Sequence, residues 1–209
     1  YTVTNLTAID VTTDTPMNNF ATFNSVDTSS HITLAEGNTV ATANSNHSAS
    51  RATIGLRSGK WYWENKIVSD SGGPAVGIMA ANAPLADQLN STPSRFYRDS
   101  GQKFTDGTGS NYGNTYTTND IIGVALDLDN NKIWFGTNGT WHNTNGSAGN
   151  TSYSSTTLNS SYPDATSVTI DTSNAGVYMP ILGSYNDGYV EANFGNGYFG
   201  TTAITSAGS

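Results

Sequence analysis

The chain has 209 residues, enough for one domain with a substantial core, and its lack of cysteine excludes disulfides, thiol catalysis and thiolate metal sites. Its net charge of -8 and pI near 4.5 disfavour nucleic acids and anionic membrane surfaces, because both require clustered cations. No apolar run approaches the roughly 20 residues of a membrane span, so no membrane insertion is expected.

Asn, Ser, Thr and Gly supply 100 of the 209 residues. A Thr-rich chain punctuated by Gly and Asn is typical of an all-β domain with many turns. In chain order, residues 1–30 form an extended lead-in, and five strands are then predicted within HITLAE, NTVATA, RATIGL, KWYWENKIV and AVGIMA. Ala83–Asn90 is the only plausible helical turn, and it is too short to be a main element.

The fourth predicted strand contains two tryptophans and a tyrosine. At a period of two, one face is apolar and the other polar: Trp61, Trp63 and Ile67 against Tyr62, Glu64 and Lys66. We therefore predict that both tryptophans pack in the core rather than form an exposed platform for sugars. On the opposite face, Glu64 and Lys66 are predicted to form a charge pair.

The second half of the chain contains the clearest hairpin. A loop is predicted at SRFYRDSGQKF, followed by the alternating strand Ile121–Leu128, a turn at Asp129–Lys132 and the returning segment IWF. A second tight turn at Asn138–Gly139 indicates antiparallel strands. Residues 143–165 are interpreted as a long polar surface loop, and the last strands are predicted within AGVYMPIL and YVEANFG.

Five segments occur in the order and spacing of a SPRY domain and cover most of residues 50–200: SGKWYWENKI, VGIMA, FYRDSGQKF, YGNTYTTNDIIGVALDLDNNKIWFGTNG and ANFGNGYFG. WYWENKI is similar to the Trp–Glu motif of that family, and GVALDLDNNKIWF to its Leu–Asp motif. The resemblance implies an antiparallel β-sandwich of two twisted sheets, of the concanavalin-like jelly-roll type, and a binding role without catalysis. Asn65, where the family usually has an apolar residue, and the 143–165 insertion depart from the family pattern.

The flanks DTPMNNFATFN and ANFGNGYFG resemble, more narrowly, SPRY domains of bacteriophage virion proteins, including those of marine phages. Residues 1–200 are predicted to be a single domain, and residues 201–209 a polar linker or tail. Because the chain begins with Tyr1 rather than Met, we expect it to be a fragment of a longer protein.

Residues suited to catalysis are scarce. The chain has three glutamates, namely Glu36, Glu64 and Glu191. Glu64 and Glu191 lie in predicted strands and could meet across a sheet at the separation of about 5–9.5 Å that glycoside hydrolysis requires. The alternative is that each is a solvated or salt-bridged strand residue. Since no nucleophile motif accompanies them, we expect no enzymatic activity.

Metal and cofactor sites are not expected either. Asp127, Asp129 and Asn131 alternate like the start of a calcium loop, but the glycine and glutamate that complete such a loop are missing. A hairpin turn explains these residues better. The three histidines have no ligand spacing: His31, His47 and His142.

The function class that remains is recognition of a partner through surface loops. Aromatic and arginine side chains supply most of the binding energy at protein interfaces. The candidate contact residues are Arg95, Tyr97, Arg98, Asp99, Trp141, Tyr185 and Asn186. We expect a non-enzymatic module of a phage virion protein, of the tail-fibre or receptor-binding type, that binds a host-surface glycan or protein at the virion surface. The alternatives are a structural module that contacts neighbouring virion proteins, a peptide-binding adaptor of eukaryotic type and a glycan-active enzyme.

Overall fold

The computed structural model describes residues 19–44, 47–85, 93–142, 168–169 and 176–204. Its strands are β1 Phe23–Thr28, β2 Ile32–Ala35, β3 Val40–Asn44, β4 Ser48–Ala52, β5 Lys60–Ser69, β6 Pro74–Ala80, β7 Ser94–Arg98, β8 Gln102–Thr105, β9 Thr108–Asn111, β10 Ile121–Asp127, β11 Lys132–Thr137, β12 Thr140–Trp141, β13 Val168–Thr169, β14 Tyr178–Ser184, β15 Asp187–Asn193, β16 Tyr198–Phe199 and β17 Thr202–Ala203. In these ranges no helix has the length and hydrophobicity that a membrane crossing requires.

The strands within the described ranges form two large antiparallel sheets and one small hairpin. Of the two large sheets, the smaller has seven strands, in the order β1-β4-β14-β6-β7-β8-β9. The larger sheet follows the order β12-β11-β10-β5-β15-β3-β2, and β13 pairs with β11 as its eighth strand. β16 and β17 pair only with each other. This architecture confirms the predicted antiparallel β-sandwich.

The core lies between the two sheets, because alternate side chains of each strand point inward. The larger sheet contributes Trp63, Ile122, Val124 and Phe135, and the smaller sheet contributes Val76, Ile78, Tyr97 and Leu182. A second apolar cluster, formed by Ala75, Met79, Ala80, Ala83, Phe96 and Ile181, includes the side chains of β6 and β7 that alternate with these core residues. Both surfaces of the central part of the smaller sheet are therefore covered.

The predicted hairpin is confirmed. β10 and β11 pair without a register shift, from Ile122 opposite Thr137 to Asp127 opposite Lys132. Asn131 adopts a φ of 55° in the first turn. In the second turn Asn138 and Gly139 have φ values of 50° and 75°, as a type I′ turn requires at both central positions.

The environment predicted for β5 is correct for Trp63 and wrong for Trp61. Trp63 is 4% exposed in the core, whereas Trp61 is 43% exposed and its indole N–H donates to the Ser58 carbonyl at 2.8 Å. Trp61 is the second residue of β5, next to the exposed start of the strand at Lys60, and its indole turns to the Ser58 carbonyl instead of packing inward.

The predicted Glu64–Lys66 charge pair is also wrong. Lys66 lies opposite Glu191 of β15, and the Nζ–Oε2 distance is 3.9 Å. Glu64 instead lies opposite Asn193, whose side-chain amide donates to it. Lys66 and Glu64 therefore interact with cross-strand partners more than 100 residues away in the sequence, not with each other.

Asn65 points inward and is 1% exposed. Its Nδ2 has no hydrogen-bond partner among the residues that the structure describes. A buried amide N–H without a partner typically costs about 1–3 kcal/mol, which is why the family usually has an apolar residue here.

Several predicted boundaries are corrected by strand pairing. The segment SRFYRDSGQKF, predicted as a loop, contains β7 and most of β8, and the strand predicted at RATIGL begins earlier, as β4. Part of the predicted tail, Thr202–Ala203, pairs as β17. The predictions for residues 1–18, for the second half of the helical turn at 86–90 and for the insertion at 143–165 lie outside the described residues.

Candidate recognition surface at one end of the sandwich

Two turns from different parts of the sequence meet at one end of the sandwich. The β5–β6 turn lies against the two-residue β14–β15 turn, and the Asn186 N–H donates to the Gly72 carbonyl at 2.8 Å. The approach is so close that a Cβ on Gly72 would collide with the backbone of Asp187. Arg98, the last residue of β7, extends beside these turns. We use the name loop cluster for His47, Arg98, Asp99, Tyr185 and Asn186.

Tyr185 is the centre of the loop cluster. Its side chain is 40% exposed. The guanidinium carbon of Arg98 lies 5.1 Å from the ring centroid, which is within cation–π distance. The His47 ring packs edge-on against the same tyrosine, with a centroid distance of 4.7 Å and an interplanar angle of 72°. Tyr185 is thus an aromatic ring fixed by two neighbours and still open to solvent.

Arg98 is positioned by a carboxylate and by a glycine. Its Nε lies 3.2 Å from Oδ1 of Asp99. A Cβ on Gly73 would lie 2.6 Å from the Arg98 Nη2, so glycine makes room for the guanidinium, and its φ of 62° suits glycine as well. Partial burial raises the pKa of Asp99, although the charge of Arg98 opposes this shift.

Asp70 fixes the neighbouring loop. Its carboxylate accepts hydrogen bonds from the hydroxyls of Thr117 and Thr118, both at 2.8 Å. These bonds, with that of Thr118 the stronger influence, lower the pKa of Asp70. The loop that follows β9 is therefore tied to the β5–β6 turn beneath the loop cluster.

Chemically, the loop cluster offers groups suited to binding. Arg98 offers planar donors, Tyr185 an aromatic face, and the exposed Asn186 both a donor and an acceptor. None of these side chains is a nucleophile with an adjacent general base. The arrangement suits a polar or anionic group attached to a flat or apolar body.

The structure brings together four of the seven predicted contact residues: Arg98, Asp99, Tyr185 and Asn186. His47, which lies in no recognisable catalytic or metal-binding motif, joins them. No local pattern indicated this contact, because His47 approaches Tyr185 only through the pairing of β4 with β14.

The other three candidates lie elsewhere. Tyr97 is fully buried between the sheets, because it occupies an inward position of β7, and its hydroxyl donates to the Asn114 carbonyl. Arg95 is also buried, with its Nη1 2.6 Å from Oδ1 of Asp106. Both were expected in a surface loop, and neither is at the surface. Trp141 lies on β12 and contacts Tyr62.

The two strand carboxylates considered for hydrolysis are both engaged. Glu64 is 4% exposed and accepts hydrogen bonds from Tyr62 at 2.6 Å and Asn193 at 3.2 Å. Glu191 faces Lys66. Among the described side chains, no group of three or more His, Cys, Asp and Glu residues could hold a metal ion.

Comparison with known proteins identifies the family of the chain. The family model described as the SPRY domain matches residues 60–173. Ran-binding protein 9 of Danio rerio is 35% identical over 86 residues, which is 39% of this chain and 14% of that protein. Human Ran-binding protein 9 is 36% identical over 86 residues, which is 12% of the human protein. The chain thus spans only a small part of these relatives.

Solved structures share the fold. The SPRY domain of human HERC1 superposes with a TM-score of 0.60 at 19% identity, covering 83% of this chain and 98% of that domain. Stonustoxin gives a TM-score of 0.58, also at 19% identity, over 83% of this chain and 27% of the toxin chain. SPRY domains are a family of protein-interaction modules. Because the family model matches more than half of the residues of the chain, the chain belongs to the SPRY domain family.

Proposed function

We propose that the chain is a non-enzymatic binding module of a phage virion protein, of the tail-fibre or receptor-binding type, and that the loop cluster recognises a host-surface protein or glycan. The observation that carries the proposal is the exposed Tyr185 ring, held between Arg98 and His47. Tyrosine and arginine are the residue types that dominate binding energy at interfaces, particularly when neighbours fix them before binding. The virion setting rests on the resemblance of the flanking segments to phage proteins.

A catalytic role is the weaker candidate. A retaining or inverting hydrolase needs two carboxyl groups free to act on one glycosidic bond. Here Glu64 is buried beneath its hydrogen-bond donors, and Glu191 is turned toward Lys66. A module that contacts a neighbouring virion protein would use the same loop cluster, so binding to cells separates that alternative from the proposal.

The test is adsorption of the purified, fluorescently labelled chain to a panel of marine bacterial strains, measured by flow cytometry. We expect at least one strain to bind it. Tyr185→Ala and Arg98→Ala should each lower the binding at least about tenfold, a usual loss for a central aromatic or arginine contact. Their melting temperatures should stay within a few degrees of wild type.

Tyr198→Ala is the matched control, because Tyr198 is 41% exposed but lies on β16, outside the loop cluster. It should bind as wild type does. Unchanged adsorption of both Tyr185→Ala and Arg98→Ala would show that the loop cluster is not the site. If no strain binds the chain, the receptor-binding function is wrong.

A further inference from the structure

The outer surface of the larger sheet carries a groove bordered by aromatic side chains. Ala125 of β10 lies between Tyr62 of β5 and Trp134 of β11 in the strand register. Trp141 of β12 reaches toward Tyr62 over Gly123, and the two ring centroids are 6.1 Å apart at an interplanar angle of 65°. We use the name aromatic groove for Tyr62, Gly123, Ala125, Trp134 and Trp141.

Small residues let the rings of the aromatic groove lie directly on the sheet. A Cβ on Gly123 would lie 3.2 Å from the Tyr62 hydroxyl and 3.5 Å from the Trp141 indole. A Cβ on Gly136, beside it on β11, would lie 3.1 Å from the same indole. A larger residue at either position would push the rings away from the sheet. Tyr62 nevertheless remains 50% exposed, so part of its side chain is open to a ligand.

Glu64 is the charged group next to this groove, directly opposite Gly123 in the register. Its carboxylate accepts the Tyr62 hydroxyl at 2.6 Å and the Asn193 amide at 3.2 Å. Asn193 is itself fixed, because its Oδ1 accepts two backbone N–H groups of the turn that follows β15. Glu64 is therefore held in one orientation beneath the phenol of Tyr62.

No cation among the described residues pairs with Glu64. The nearby Lys66 on the same strand face lies 3.9 Å from Glu191 instead. A carboxylate that is 4% exposed interacts with neighbouring charges through a medium of lower permittivity than water. Buried charges in proteins are ordinarily paired, so a cation supplied from outside would meet a favourable potential at this end of the groove.

The hydrogen bond between Tyr62 and Glu64 also favours a cation. A phenol that donates to a carboxylate is polarised by it, and the ring becomes more electron-rich. Aromatic faces attract cations through their quadrupole, with tryptophan the most effective. Among cationic side chains, the planar guanidinium of arginine stacks on aromatic faces, whereas the ammonium of lysine is compact and strongly hydrated.

We propose that the aromatic groove binds an arginine side chain of a partner protein. The guanidinium stacks on the exposed faces of the Tyr62 and Trp141 rings, which themselves cover Gly123, and Glu64 supplies the opposite charge through the Tyr62 hydroxyl. This site is separate from the loop cluster, which presents its own guanidinium and suits an anionic or polar group. The net charge of -8 assists the approach of a basic partner.

The test is a titration of the ¹⁵N-labelled chain with acetyl-Gly-Arg-Gly-amide, followed by the indole N–H signals of Trp134 and Trp141. The same peptide with citrulline, which keeps the shape of arginine without its charge, is the neutral probe. Methyl α-glucopyranoside tests whether the groove is a sugar site instead. We expect saturable shifts with the arginine peptide and none with the other two compounds.

Three variants locate the site. Tyr62→Ala should abolish the shift, and Glu64→Gln, which preserves the shape of the carboxylate, should weaken binding roughly three- to tenfold. Trp61→Ala is the matched control: its side chain is similarly exposed but points to the other face of β5, and it should bind like wild type. Equal shifts with citrulline, shifts with the glucoside alone, no shifts at all, or unchanged binding by a folded Glu64→Gln chain would overturn the proposal.

Discussion

Trp61 and Trp63 occupy the same face of β5, and only the second is enclosed. Trp63 packs among core side chains of both sheets. Trp61 leaves almost half of its surface in water and forms one local hydrogen bond. The free energy of unfolding should therefore depend strongly on one tryptophan and weakly on the other, although their sequence contexts are nearly the same.

We predict that Trp63→Ala lowers the free energy of unfolding by about 3–5 kcal/mol, the usual cost of removing a large buried aromatic side chain. Trp61→Ala should cost about 1 kcal/mol or less, as is typical of partly exposed positions. Urea unfolding followed by far-UV circular dichroism measures both without using tryptophan fluorescence. Equal losses in the two variants would contradict the environments described above.

His142 is a buried titratable group between the sheets. Its Nε2 lies 3.0 Å from the Tyr97 hydroxyl and 2.9 Å from the Thr137 hydroxyl. Burial lowers the pKa of His142 from 6.5 to about 4, because the charged imidazolium would lose its hydration there. Below pH 6.5 the unfolded chain takes up a proton at this residue that the native chain does not bind.

The free energy of unfolding should therefore fall as the pH decreases from about 6.5 to about 4, with His142 responsible for at most about 3 kcal/mol. Above pH 6.5 this contribution is constant. His142→Gln should remove it, so the difference in stability between wild type and variant should change across this pH window. The exposed His31→Gln serves as the control. An identical pH dependence of His142→Gln and wild type would refute the assignment.

The β10–β11 hairpin and its second turn show how one element is stabilised by both backbone and side chain. Asn138 has a φ of 50°, its Oδ1 accepts the Ile121 N–H at 2.9 Å, and its Nδ2 donates to Asp120 at 2.7 Å. A single residue thus forms the turn and ties it to the start of β10.

Two substitutions separate these contributions. Asn138→Gly keeps the positive φ but removes the side-chain hydrogen bonds, and should cost about 1 kcal/mol. Asn138→Ala removes the same bonds but keeps a Cβ in the left-handed region, so it should be about 1–2 kcal/mol less stable than Asn138→Gly. Chemical denaturation of both variants measures the difference. If Asn138→Ala were no less stable than Asn138→Gly, the turn would not require the left-handed conformation.

For the whole molecule, the features predictable from sequence were those fixed by local geometry. Alternation along Ile121–Leu128 and the Asn138–Gly139 turn depend on neighbouring residues, and both were confirmed. The order of the motifs similarly sufficed to predict the sandwich. Four residues of the loop cluster were also named, since arginine and aromatic side chains near turns are common contact residues.

The sequence did not predict how deeply each strand is buried or which residues face each other across neighbouring strands. Tyr97 and Arg95 looked like loop residues because polar and aromatic side chains follow one another there, yet the pairing of β7 with β6 and β8 buries both. The partner of Lys66 depends on the register of β15, a strand more than 120 residues later. Such long-range pairings are determined by the whole packed molecule rather than by any local segment.

β14 and β15, which are late in the sequence, occupy interior positions in their sheets: β14 lies between β4 and β6, and β15 between β3 and β5. During synthesis, the four earlier strands leave the ribosome long before the strands that join them. Neither sheet can close on a nascent chain that ends before residue 178. Because such distant pairings form slowly, the exposed strand edges are open to aggregation until translation has passed residue 193. The domain therefore folds after nearly all of it has been made, which favours slow translation or chaperone protection over stepwise folding.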